Sequence, residues 1–215
     1  MKVVGGRRAV SDSGIVSCGA AFAAQREQVA VSRHGKGVLF SDYVRMIRST
    51  KGVDWKRHLD AEDLAYVAVR IEPNAWYPMT TFERLGNAIL KEIAGGEVEA
   101  ARMWGRISVD QLRTATPSLV AEGDPLETLM RFRVLRSTFF DFEALEVRSA
   151  SPDHATISIG YHMGAMAEEA ASYQTMGFFE RLLDVAGAEG VDARFTQRSW
   201  TGDRQTLLEL AWENR

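Results

Sequence analysis

Between residues 141 and 212 the spacing of apolar residues changes twice, and this limits what the chain can fold into. Ala155, Ile157, Ile159, Tyr161 and Met163 alternate with His154, Thr156, Ser158, Gly160 and His162. Such alternation puts the two sets on opposite faces of a β-strand. The stretch before it, residues 143–148, places Leu145 and Val147 on one face, and residues 149–153 carry Ser-Pro-Asp turn chemistry, so a hairpin is expected. Helical spacing takes over at residues 165–186. Met176, Phe179, Leu183 and Ala186 mark a buried side there, and Gly177, Glu180, Arg181 and Asp184 an expected solvent side. A glycine inside a helix costs about 1 kcal/mol relative to alanine; close approach by a neighbouring element would explain Gly177. Gly187 and Gly190 end this helix. Val191, Ala193 and Phe195 then alternate with polar residues, Thr201, Gly202 and Asp203 turn the chain, and Thr206, Leu208, Leu210 and Trp212 return it. The pattern is hairpin, long helix, hairpin: an amphipathic antiparallel sheet with one face on helices.

The first half reads as helices joined by short polar loops. Val38, Leu39, Tyr43, Val44 and Ile47 recur at helical spacing after Gly37, and Gly52 is a left-handed stop. Trp55, His58 and Leu59 form a short piece, with Asp60 as a cap for the next segment; residues 60–71 fit a helix or a strand. Trp76-Tyr77-Pro78 is a break, because the residue before proline is pushed out of the helical region. Residues 80–83 and 108–111 read as capping boxes, so helices are expected behind Thr80, over 98–104, and again after Ser108. Asp124-Pro125 opens another helix, over 125–140. On that helix Leu126, Leu129, Met130, Phe132, Phe139 and Phe140 form an apolar arc, and Arg133 and Arg136 fall inside it. Either these arginines extend past the apolar surface and pair with acids such as Asp141, Glu168 or Glu169, or they line a cavity and hold an anionic group. The expected fold class is α+β, a helical N-terminal half packed on a small antiparallel sheet.

Residues 1–36 differ in charge. Their first 35 positions carry Lys2, Arg7, Arg8, Arg26 and Arg33 against Asp12 and Glu27, while the whole chain has a formal net charge of −3. They are expected to be a flexible or weakly ordered basic segment, with residues 37–215 as a single α+β domain. Arg7-Arg8 suggests an export signal, but Ser11, Asp12 and Ser13 interrupt the apolar core such a signal needs. One cysteine, Cys18, excludes an intramolecular disulfide, so a reducing cytoplasm is the expected compartment. The acidic balance gives no footprint for nucleic acid, and no apolar run approaches the roughly 18 residues of a membrane span.

The chemistry-bearing residues form no familiar constellation. His34, His58, His154 and His162 stand at no metal-ligand spacing, and the nucleophile-elbow, P-loop and dinucleotide patterns are missing. No catalytic residues and no metal ligands are therefore assigned. Glu168 and Glu169 open a helix, where carboxylates suit the dipole. His162 reads as a solvent-facing strand histidine. The aromatic residues, Trp104, Phe140, Tyr161 and Tyr173 among them, are core by default, and some would line an apolar pocket between the helices and the sheet.

Two stretches carry a resemblance. One is Gly37-Val38-Leu39-Phe40, Lys51-Gly52, Trp55 and Ala75-Trp76-Tyr77-Pro78. The other is Tyr173-Gln174-Thr175-Met176-Gly177-Phe178-Phe179, followed by a strand, Gly202-Asp203 and a closing apolar strand. Together they resemble a paralogous family expanded in myxobacteria, itself similar to the heme-nitric-oxide-binding and 4-vinyl-reductase domains and to the TRAPP Bet3 fold. The resemblance implies a helical half on a small sheet, with a central cavity in the ligand-binding members. Its heme-binding members use a histidine on a helix and a Tyr-x-Ser-x-Arg motif. This chain has no histidine in residues 80–140 and no such motif. Its 4-vinyl-reductase members often carry cysteines in the last hairpin, where this chain has Arg198-Ser199-Trp200. Neither heme nor zinc is expected, and no cofactor is assigned.

These observations together predict a non-enzymatic, small-molecule-binding sensory or regulatory domain. The expected ligand is small and partly apolar or anionic, held near Arg133, Arg136, Trp104, Phe140, Tyr161 and Tyr173. The alternative is an interaction module of Bet3-like fold that forms a homodimer or docks a signalling partner, with no nucleic-acid or membrane role.

Overall fold

The computed structural model describes Met1 and residues 32–214. Cys18, the Arg7-Arg8 pair and most of the expected basic segment lie outside the described residues. Among the described residues the chain is an α+β fold with six α-helices and two antiparallel sheets.

The contact that positions everything else is the crossing of α4 (Val98–Ala115) on α6 (Ala165–Val185). A Cβ placed on Gly105 would lie 1.8 Å from the backbone oxygen of Gln174, and one on Gly177 would lie 1.9 Å from that of Arg102. Only hydrogen fits at either position, so the two backbones touch. Gly177 and Glu180 therefore do not face solvent as their spacing suggested; both are buried against α4. Glu180, 4% exposed, accepts from Arg102 (Nε, 3.1 Å) and Arg106 (Nη1, 3.1 Å), and Arg106 also reaches Asp184 at 2.6 Å. Two arginines converging on one buried carboxylate supply the charge compensation that its desolvation demands.

Around this crossing stand α1 (Gly37–Ser49), α2 (Ala61–Ala68), α3 (Met79–Glu92) and α5 (Pro125–Leu135). The ambiguous residues 60–71 resolve as helix because Asp60 and Asp63 form a reciprocal capping box. The box expected at residues 80–83 does not form. Pro78 stands at the N-cap of α3 with no side-chain capping bond, Thr81 is fully buried, and the Glu83 carboxylate accepts from the Gly164 amide at 2.9 Å. Nor does a helix begin at Ser108: α4 runs through it, with the Ser108 hydroxyl donating to the Gly105 carbonyl. The helix opened by Asp124 stops at Leu135 and continues as a 3-10 turn, Arg136–Thr138. Trp76–Pro78 is a strand, β2, paired with β1 (His34–Lys36).

The second sheet has the order β3–β4–β6–β5, from Leu145–Ala150, His154–Ile159, Thr206–Asn214 and Ala188–Gln197. Both expected hairpins are present. The alternation read through Met163 ends as strand at Ile159, and residues 160–164 bend toward α6. Val147, Ala155, Ile157, Leu208 and Leu210 form the buried face.

Replacing Gly177 by alanine tests the crossing. Helix propensity favours alanine by about 1 kcal/mol, yet the new methyl meets backbone that cannot rotate away. Urea denaturation of Gly177→Ala should show a net loss of about 2–3 kcal/mol. A stabilised variant would mean that α4 and α6 are not in backbone contact.

Candidate functional site

Small residues on one side of α6 leave space beside it. Ala167, Ala170, Ala171 and Gln174 share one helical face, and Gly86 on α3 adds no side chain opposite. The resulting cavity, about 130 Å³, lies among α1, α3, α4, α6 and the turn after α5. Its wall is mainly apolar: Leu39, Met46, Phe82, Phe132, Phe139 and Phe178 are representative. For scale, a dry apolar cavity of about 150 Å³ accepts benzene.

Four of the six candidate residues border this space: Trp104, Arg136, Phe140 and Tyr161. Two do not. Arg133, in the last turn of α5, is exposed. Tyr173 lies on another side of α6, against Phe195 and Trp200. Arg136 contributes its stem, but its guanidinium is engaged: Nε donates to the Leu145 carbonyl at 2.8 Å, Nη1 to the Arg133 carbonyl at 2.8 Å, and Nη2 stands 3.5 Å from Glu143. Its acid partner is thus Glu143. Asp141 is held by His34, and Glu168 takes the amides of Tyr161 and Met163, both at 2.9 Å. That buried carboxylate fixes His162, which lies between the two amides, at φ 57°.

The polar groups of the wall are paired in short chains. The Tyr43 hydroxyl donates to Gln174 Oε1 at 2.7 Å. Thr175 donates to the Ala171 carbonyl at 2.8 Å, so the Tyr161 hydroxyl, 2.7 Å away, must donate to Thr175. Burial pushes the Tyr43 phenol up to about 12, with the Asp42 charge adding to it. Burial raises Tyr161 as well, against the hydrogen bond to Thr175. Both remain neutral phenols at ordinary pH. Tyr43, Gln174 and Thr175 stand in the sequence as helix and motif positions and are not among the six candidate site residues. The signal was there, in alanines and a glutamine three and four residues apart, but small residues read equally well as tight helix packing.

No family model matches the chain, and no curated protein does. Solved structures do. An H-NOX protein from S. oneidensis in the Fe(II)NO state matches 83% of this chain and 99% of its own, at 9% identity and a TM-score of 0.58. An unliganded Fe(II) H-NOX protein from K. algicida matches 84% and 97%, at 14% and 0.58, and a T. tengcongensis H-NOX variant matches 83% and 98%, at 16% and 0.54. The chain has the H-NOX fold.

Whether this version of the H-NOX fold suits a heme is decided by its own wall. The cavity is well below the ~300–1,000 Å³ of sites for drug-sized ligands, and a tetrapyrrole needs more still. Iron in heme is held by imidazole, thiolate, thioether or phenolate. Among the described residues no histidine or cysteine borders the cavity, and its two phenols are tied to Gln174 and Thr175. His34 is held by Asp141, His58 pairs with Glu92 at 2.9 Å, and His154 and His162 lie elsewhere. Methionines 46, 79 and 163 remain as weak soft donors. The residues do not fit heme. Among the described residues no group of three or more His, Cys, Asp or Glu could hold a metal ion, and no helix is long and apolar enough to cross a membrane.

Hemin added to the purified protein should therefore give the absorption of free hemin; a sharp, shifted Soret band at one equivalent would show that heme fits after all. Alkaline stability should reflect Tyr43. The folded chain holds this phenolic proton more tightly than the unfolded chain, whose tyrosines titrate near 10. Its contribution is complete below about pH 10 and is lost as pH rises towards about 12. Tyr43→Phe should flatten that part of the urea-measured stability profile.

Proposed function

We propose that the chain is a non-enzymatic sensory or regulatory domain that binds a small, neutral, mainly apolar molecule without heme or zinc. The cavity carries this reading. It borders the α4–α6 crossing, has an apolar wall, and is sized for a molecule of benzene's bulk. The neutral ligand replaces the anionic alternative because Arg136 already serves two carbonyls and Glu143, and Arg133 is exposed. The solved relatives, described by their Fe(II) and Fe(II)NO states, lend the idea of a small ligand in this fold.

Toluene is a suitable probe. It should raise the melting temperature in a dose-dependent way, as any ligand selective for the folded state does. Ala171→Leu fills the cavity; it should abolish that rise while leaving the chain folded. No rise in the parent protein, together with no molecule retained in native mass spectrometry from a metabolite pool, would refute the reading.

A further inference from the structure

We infer that the cavity selects molecules carrying a hydrogen-bond acceptor, and that Gln174 is the residue that reads it. This rests on the cavity being a binding site. The hydroxyl hydrogens of the wall are all spent. That of Tyr43 goes to Gln174, that of Tyr161 to Thr175, that of Thr175 to the Ala171 carbonyl and that of Ser108 to the Gly105 carbonyl. Arg136 is engaged by the Leu145 and Arg133 carbonyls. Two donors of the wall have no partner among the described residues: the Gln174 carboxamide nitrogen and the Trp104 indole nitrogen. Both residues line the cavity. Beside the remaining lone pairs of Asp42, Glu83 and the hydroxyl oxygens, the wall thus keeps two donors for the acceptor of a ligand.

The orientation of the Gln174 amide is set by its neighbour. Were it turned over, its nitrogen would donate to Tyr43, and the phenolic hydrogen of Tyr43 would be buried without an acceptor. The arrangement that spends the phenolic hydrogen leaves the carboxamide N–H groups unspent. The ligand class is a neutral molecule of about seven heavy atoms with one carbonyl or ether oxygen and an otherwise apolar body. A purely apolar molecule of the same size would displace water from Gln174 without replacing its hydrogen bond, which loses affinity.

Cyclohexanone and toluene, seven heavy atoms each, form the test pair, with affinities from ligand-observed NMR on the full chain. Gln174→Met combined with Tyr43→Phe removes the amide donors without freeing the Tyr43 hydroxyl to take their place. It should weaken cyclohexanone about 5- to 10-fold, the range of one net hydrogen bond, and leave toluene unchanged or tighter. Retained toluene binding also shows that the variant is folded. Trp104→Phe should weaken cyclohexanone less. If both probes bind and their ratio is the same in parent and the double variant, the selectivity is wrong and the binding site stands. If neither probe binds the parent protein, the site and the selectivity fail together.

Discussion

Two glycines facing two carbonyls set the geometry of this protein. At Gly105 and Gly177 the backbones of α4 and α6 come into direct contact, closer than any side chain permits. The crossing is held at backbone contact, because a methyl added at either glycine would push the other helix off. Next to it, Glu180 receives Arg102 and Arg106. Contact sets the distance between the helices, and charge sets which turn of one faces which turn of the other.

Fixing α6 in this way divides the molecule. One side of the helix carries Phe179, Leu182 and Leu183 and belongs to the core with the sheet. Another carries Ala167, Ala170, Ala171 and Gln174 and faces α1 and α3 across open space. The space exists because α4, held by glycine, cannot tilt in to close it, and alanines do not reach far enough to fill it. Tyr173, aimed elsewhere, joins Phe195 and Trp200 under the outer hairpin.

The sequence was most informative where one periodicity ran uninterrupted. The two hairpins and the long helix are dictated by alternation and helical spacing, since a half-buried sheet leaves few other solutions. Gly177 already implied a close neighbour. What misled was the assumption that polar means exposed: Glu180 and Gly177 look like a solvent face because the arginines compensating the one and the carbonyl touching the other lie about 75 residues earlier. Local capping signals misled in the same way. Ser108 matches a helix start, but a hydroxyl bonding back to the preceding turn serves equally well in mid-helix. The site was half legible. Aromatic residues and Arg136 stood out by chemistry, whereas the residues that create the space are small and leave no mark in a pattern of hydrophobicity.

The Glu168 carboxylate joins two events that the chain could otherwise undergo separately. It sits in the first turn of α6 and takes the amides on both sides of His162, so it binds the chain that leads into its own helix. Unwinding that turn would release His162 from its left-handed conformation and Tyr161 from the cavity wall at the same time. The first turn of α6, the link from the sheet and one wall of the cavity thus make up a single cooperative unit, which forms or opens as a whole.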